Sequence, residues 1–245
     1  MTKAEVSFLL NFKNNKMGIS GSALKIIAIA VMVVDHIASY LLVDNSFCRE
    51  SLFSVGGLDF SIYDLMRGIG RLAFPIFCFL LVEGFHYTHN RFKYGLMLLL
   101  FAFISEIPFD LLDDTKSWFE VQNVFFTLAL GYFSIWLLDY WKKDLFNRCV
   151  IVMISLMLSI FIRVDYNIAG LFLILVLYFA RERFWLKMLI GCALLPMPVW
   201  AFGSAMILKH YNGHRGFVKG KYMKYLFYIF YPFHLTLIYL IKIFA

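Results

Sequence analysis

Long runs of apolar residues, interrupted by few charges, dominate this chain of 245 residues. Hydrophobic residues make up 62% of the sequence and charged residues only 16%, against about 25% charged residues in an average soluble domain. A helix needs ~20 mostly apolar residues to cross the hydrocarbon core of a bilayer. The sequence therefore predicts an all-α integral membrane protein, a polytopic transmembrane helical bundle surrounded by membrane lipid.

The apolar runs predict about seven to eight spans, which form a single domain over residues 1–245. Residues 1–20 are predicted to be an amphipathic segment on the membrane surface. The continuous predicted spans are 23–43, 69–87, 94–112, 123–140, 146–162, 166–180 and 222–244.

The apolar stretch at 185–208 is harder to interpret, because Pro196 and Pro198 each remove a backbone donor and disfavour one straight helix. It either crosses the membrane or dips in and returns, and the sequence leaves both alternatives open. Lysine and arginine gather in alternate turns, which places those turns and the N-terminus on the cytoplasmic side of the cell membrane. The net charge of +7 is thus a topology signal, and we expect no nucleic-acid partner.

Ionisable side chains within the predicted spans are the main candidates for a functional site, because a bilayer makes them costly. Asp35 and His36 interrupt the first span. Adjacent helical residues point ~100° apart, so we expect one of them to face the site while the other pairs elsewhere. His234 lies in the last span at nearly the depth of His36, which predicts one shared site.

Further polar residues lie at the outer level of other spans. Arg71 begins the second span and Glu106 lies at a similar depth in the third, so we expect these two side chains to pair. The residues predicted to bind the substrate come from several segments. They are Glu106, Asn123, Asp165, Tyr166, His234 and, about three turns from Arg71 near the inner end, Glu83.

The sequence disfavours two other kinds of chemistry, a metal site and a covalent enzyme intermediate. His86 and His89 lie at the cytoplasmic rim, where basic anchors are expected, and the four cysteines lack a paired metal spacing, so no metal site is predicted. No nucleophilic serine or cysteine motif accompanies His36. Direct transfer with a histidine general base is therefore a simpler hypothesis than a covalent intermediate.

Several motifs resemble the TraX family in order, over about residues 24–239. They are LKIIAIAVMVVDHIASYLL, GIGRLAFPIFCFLLVEGFHYTHN, SEIPFDLL, NVFFTLALGY, DYNIAGLF, YNGHRG and KYLFYIFYPFHL. The resemblance implies an acetyltransferase that uses acetyl-CoA as donor and a peptide or glycan amine or hydroxyl as acceptor. It further implies that His36 is the catalytic base, with Asp35 in its supporting motif and Arg71 binding the oxyanion or an anionic group of the donor.

A basic, glycine-containing stretch before the last span suits the phosphates of the donor if it is cytoplasmic. Its predicted cofactor-binding residues are Lys209, Asn212, Arg215 and Lys219. The alternative function is a transporter or channel that uses the buried charges as a proton or substrate path. An assembly factor without catalysis is a third hypothesis.

Overall fold

The fold is a bundle of apolar helices, known from a computed structural model that describes residues 18–113, 120–180, 182–218 and 222–244. The predicted amphipathic segment lies almost wholly outside these residues. In chain order the helices are α1 (Gly21–Leu41), α2 (Ser46–Arg49), α3 (Ile62–Gly70), α4 (Ala73–Tyr87), α5 (Arg91–Leu112), α6 (Val124–Tyr140), α7 (Leu145–Phe161), α8 (Asn167–Phe179), α9 (Phe184–Cys192), α10 (Pro198–Leu208) and α11 (Met223–Phe244).

Four helical stretches of the described residues are long and apolar enough to cross a membrane. They are α1, the α3–α4 stretch Ile62–Tyr87, α5, and Tyr225–Phe244 of α11. Shorter apolar helices are α6, α7, α8 and α10. The prediction of a polytopic helical membrane bundle is confirmed, and these helices begin and end within a few residues of the predicted continuous spans, apart from the second, which the structure extends back to Ile62.

The second predicted span is broken between α3 and α4 at Arg71 and Leu72. Pro75 explains the position of the break, because a proline ring in a helix clashes with the carbonyl group four residues earlier, here that of Arg71. Pro75 itself lies in the first turn of α4, where a missing backbone N–H is tolerated. The break places the Arg71 side chain where two helices meet.

A short β-hairpin follows the first span, although the sequence predicts an all-α fold. Strands β1 (Ser51–Val55) and β2 (Leu58–Ser61) pair antiparallel. Gly56 and Gly57 form the turn between them with φ angles of 61° and 83°, a region that glycine enters without steric cost. Phe53 and Phe60 stack across the strands with ring centroids 5.4 Å apart.

The proline-containing segment forms a helical hairpin whose two ends lie together. The Lys209 ammonium, just after α10, lies 5.6 Å from the ring centroid of Trp185 at the start of α9. Between the two helices Met197 adopts a left-handed conformation with φ of 51°. At the other end of the hairpin, Trp200 packs against Gly68 of α3. This geometry matches the re-entrant alternative, since α9 enters the bundle and α10 returns.

Backbone hydrogen bonds tie loops together at both ends of the bundle. At the end where α1 begins, which we call the basic end (residues 18–25 and 209–218), Ile19 N–H donates to the His210 carbonyl group at 2.7 Å. At the opposite end, which we call the far end (residues 41–46, 110–113, 120–123 and 162–167), Gln122 N–H donates to the Arg163 carbonyl group at 2.9 Å. Each bond joins two loops that are far apart in the sequence.

Glycine allows α1 and α3 to approach closely beside Asp35. A Cβ atom added to Gly70 would overlap the Asp35 side chain at its Cβ, close to the backbone of α1. At Gly203 of α10, the added Cβ would lie 3.1 Å from Leu72 Cδ2, the flexible tip of a side chain. A methyl group at Gly70 would therefore have to move atoms close to a helix backbone, whereas one at Gly203 would only have to move the end of a leucine side chain.

We expect Gly70→Ala to destabilise the fold by about 1–3 kcal/mol, because a well-packed contact near a helix backbone cannot yield easily. Gly203→Ala is the matched control, which we expect to change stability by less than about 1 kcal/mol. Thermal unfolding of both variants in the same detergent measures the difference. Equal unfolding temperatures for the two variants would contradict this packing argument.

Candidate functional site

Two histidines, one from α1 and one from α11, meet inside the bundle. His36 Nδ1 lies 2.7 Å from His234 Nε2, although the residues are 198 positions apart in sequence. His36 is partly exposed, whereas His234 retains only 4% of its accessible surface. The structure thus brings together the two imidazoles that were expected at one depth.

Aromatic rings surround the histidine pair. Tyr40, one turn after His36 on α1, and Tyr231, one turn before His234 on α11, contact the His36 ring edge to face at centroid distances of 5.9 and 6.2 Å. The Phe230 ring is stacked on His234, with centroids 5.2 Å apart. Their helical spacing of three or four residues explains why these rings line the same face.

Asp35 points away from the histidine pair and binds arginines of the neighbouring helix. Its Oδ1 lies 2.7 Å from Arg67 Nη1 and 3.5 Å from Arg71 Nη2. Arg67 also donates to the Asp35 carbonyl group at 3.4 Å. The expected divergence of Asp35 and His36 is observed, because adjacent side chains of a helix cannot face one direction.

Arg71 connects this ion pair to α8. Its Nη1 donates to the Tyr166 hydroxyl group at 3.5 Å, and the Tyr166 ring stacks on Phe74 with centroids 3.7 Å apart. The Arg71 Nε group is buried without a hydrogen-bond partner among the described residues. A buried guanidinium N–H without a partner is unfavourable, so this atom is a candidate donor to a bound ligand.

The expected pairing of Arg71 with Glu106 is wrong. Glu106 Oε2 instead accepts two hydrogen bonds from Asn123. The backbone N of Asn123 lies 3.1 Å from this oxygen, and Asn123 Nδ2 lies 2.5 Å from it. Asn123 Oδ1 in turn accepts from Phe125 N–H and caps α6. Depth alone placed Arg71 and Glu106 together, but Arg71 faces α1 and Glu106 faces the start of α6.

The remaining candidates for substrate binding lie at different places. Asp165 is exposed at the far end, directly before Tyr166 in the chain. Glu83 belongs to the other end of α4, where its carboxylate acts on Tyr211. Burial first, and then the charge of Glu83, raise the pKa of the Tyr211 hydroxyl. Glu83 is therefore separated from the histidine pair, and its role in binding stays a prediction.

Three of the four predicted donor-binding residues, Lys209, Asn212 and Arg215, lie at the basic end. Lys209 and Arg215 are exposed, and Arg215 lines an open depression of about 440 Å³ together with His214, Gly216 and Phe217. Asn212 is buried, and its Nδ2 donates to the Gly18 carbonyl group at 2.8 Å, which holds the loop against the beginning of α1. Lys219 lies outside the described residues.

Sequence reasoning missed three side chains of the site, namely Arg67, Tyr40 and Tyr231. Arg67 makes the shortest contact to Asp35, at 2.7 Å. Its spacing of four from Arg71 was a usable signal, because residues i and i+4 share a helix face. The two tyrosines have the same relation to His36 and His234, but in a chain with 19% aromatic residues their positions alone do not stand out.

These features define an integral membrane helical bundle with a polar site of histidines, arginines and a carboxylate between α1, α3, α4 and α11. The chain belongs to the TraX family, since the family model described as "TraX protein" matches residues 20–242.

One similar protein is "Probable fimbrial assembly protein FimC, serogroup H1" of Dichelobacter nodosus, which is 36% identical over 124 residues. That alignment covers 47% of this chain and 45% of the relative, so the chain spans less than half the length of the relative it matches. No solved structure matches the chain.

We expect Asp35→Asn to destabilise the protein by about 3 kcal/mol, because it leaves two largely buried arginines without their carboxylate. Asp139→Asn is the matched control. It also removes one carboxylate, which is paired with Arg91 at 2.6 Å. The side chains of Asp139 and Arg91 are 27% and 34% exposed, so we expect the free energy of unfolding to fall by about 1 kcal/mol or less. Unfolding in detergent measures both, and a larger loss for Asp139→Asn would contradict the proposed importance of the Asp35 cluster.

Proposed function

We propose that this protein is a membrane acyltransferase that moves an acetyl group from acetyl-CoA to an amine or hydroxyl group of a peptide or glycan. The observation that carries the proposal is the contact between His36 and His234. It uses one ring nitrogen of a partly exposed imidazole and leaves the other for proton transfer. Family membership supports the same reaction, since the TraX resemblance implies acetylation.

In the proposed reaction His36 is the general base. It removes a proton from the acceptor as the acceptor nitrogen or oxygen bonds to the carbonyl carbon of the thioester. The carbon–sulfur bond then breaks, and the thiol of CoA leaves with the proton returned by His36. No covalent enzyme intermediate is needed, which agrees with a site whose central groups are imidazoles.

Arg71 is the candidate for stabilising the oxyanion that forms on the thioester carbonyl. Its buried Nε has no hydrogen-bond partner among the described residues, so it is a preorganised donor. Asp35 and Tyr166 hold the other end of the guanidinium through its Nη atoms. In this arrangement Asp35 positions Arg71 rather than His36.

The acceptor we propose is a subunit of a surface fibre. The relative from Dichelobacter nodosus is described as a probable fimbrial assembly protein, and a fibre subunit is a peptide acceptor of the kind that the TraX resemblance implies. The exposed Asp165 lies at the far end of the bundle, where such an acceptor would approach, and Tyr40 lies close to that end on α1.

We expect His36→Gln to lower the rate of acetyl transfer about 10²- to 10⁴-fold, the usual contribution of a general base. The measurement is transfer from labelled acetyl-CoA to cell-envelope acceptors by protein in bilayer discs. His89→Gln is the control, because this exposed histidine follows α4 and belongs to none of the proposed binding sites. Full activity of His36→Gln would contradict the proposal. Failure of the unaltered protein to bind acetyl-CoA would also contradict it, and would favour the transporter alternative.

Arg215→Ala tests the proposed donor site at the basic end. We expect the KM for acetyl-CoA to rise about tenfold with little change in kcat, because an exposed arginine contributes a charge-assisted contact to phosphate. The KM for acetyl-pantetheine, which lacks the phosphates, should not change. An equal effect on both donors would argue against phosphate binding by Arg215.

A further inference from the structure

The two ring nitrogens of His234 have different hydrogen-bond partners. One partner can only accept a hydrogen bond, and the other can donate or accept. Its Nδ1 lies 3.0 Å from the backbone carbonyl oxygen of Phe230, one turn earlier on α11. Its Nε2 lies 2.7 Å from Nδ1 of His36. A carbonyl oxygen only accepts hydrogen bonds, whereas a neutral imidazole has one donor and one acceptor nitrogen.

These partners determine the proton positions in the neutral pair. Since the Phe230 carbonyl accepts, His234 carries its proton on Nδ1, and its Nε2 is an acceptor. His36 Nδ1 must therefore be the donor of the bond between the rings. The unshared electron pair of His36 is then on Nε2, the nitrogen turned away from His234.

The relative orientation of the rings suits such a bond. The ring planes differ by 5°, and the centroids lie 5.0 Å apart while the facing nitrogens are only 2.7 Å apart. The two imidazoles therefore lie edge to edge in almost one plane, where the nitrogen electron pair of one ring points at the N–H of the other. The burial of His234 keeps water from replacing either bond.

We infer that His234 is a positioning residue that fixes the tautomer of His36, so that Nε2 of His36 is the atom that accepts the proton. A chain of hydrogen bonds that starts at the Phe230 carbonyl transmits this choice. The inference concerns the site of the proposed function and rests on it only for the activity measurement.

The same chain supports His36 after it has accepted a proton. The new proton is on Nε2, and the Nδ1–H group still donates to His234, so no bond between the rings has to break. A hydrogen bond from a charged donor is stronger than one from a neutral donor. His234 thus stabilises the imidazolium without exchanging a proton.

Two substitutions of His234 separate this role from simple packing. His234→Gln places an amide oxygen near the position of Nε2, where it can accept from His36. His234→Asn is shorter and retains a donor only near Phe230. His210 is the matched control, because its Nδ1 contacts the Met206 carbonyl group at 2.8 Å in the same i to i−4 arrangement, at the basic end.

The experiment is nitrogen-15 NMR of histidine-labelled protein in bilayer discs, with His36→Gln used to assign the His36 signals. We expect His36 to be protonated on Nδ1 with a bare Nε2 in the unaltered protein, in His234→Gln and in His210→Asn. In His234→Asn we expect the proton to shift toward Nε2. A His36 that carries its proton on Nε2 in the unaltered protein overturns the inference, as does an unchanged tautomer in His234→Asn.

The activity measurement then tests the consequence for transfer. We expect His234→Asn to lower kcat about 10²-fold at constant KM, and His234→Gln to restore most of that loss. Equal kcat values for His234→Asn and the unaltered protein would overturn the inference about His234. The proposed function would be unaffected by that result, because it is tested separately by His36→Gln. If the unaltered protein transfers no acetyl group, the proposed function fails, whereas the NMR measurement still decides the tautomer.

Discussion

The cost of placing ionisable groups among apolar helices controls how this bundle is assembled. Asp35 and His36 are neighbours on α1, and each needs a partner in surroundings that offer little water. Because their side chains diverge, one is satisfied by Arg67 and Arg71 on the α3–α4 stretch and the other by His234 on α11. One dipeptide thereby fixes α1 against two different neighbours.

Small residues and helix breaks make these polar contacts possible. Gly70 lets the backbone of α3 approach Asp35, and Pro75 interrupts the helix so that Arg71 lies where α3 ends. Gly68 accommodates Trp200 from the tip of the α9–α10 hairpin on the same helix. Close approach by small residues is the usual means of helix association where lipid gives no hydrophobic driving force.

The depth of each site residue could be predicted from the sequence, whereas its partner often could not. Helical rise places His36 and His234 at one level and separates Glu83 from Arg71. The partner depends on rotation about the helix axis, and an error of one residue in a boundary turns a side chain by ~100°. This explains why the predicted pairing of Arg71 with Glu106 is wrong. The observed partners are Asp35 for Arg71 and Asn123 for Glu106. The β-hairpin escaped notice because its strands are short and follow no clear alternation.

The proposed function places its two substrates at different ends of the molecule. His36 lies ~22 Å along α1 from Gly21, at about 1.5 Å per residue. The Arg215 carbonyl group accepts a hydrogen bond from the backbone N–H of Ser22, so Arg215 lies beside the beginning of that helix. A donor held by its phosphates at Arg215 must therefore deliver its acyl group through a long, narrow arm. Acetyl-CoA has such an arm between its phosphates and its thioester. The separation thus favours a long donor over a compact one, and it leaves the far end of the bundle for the acceptor.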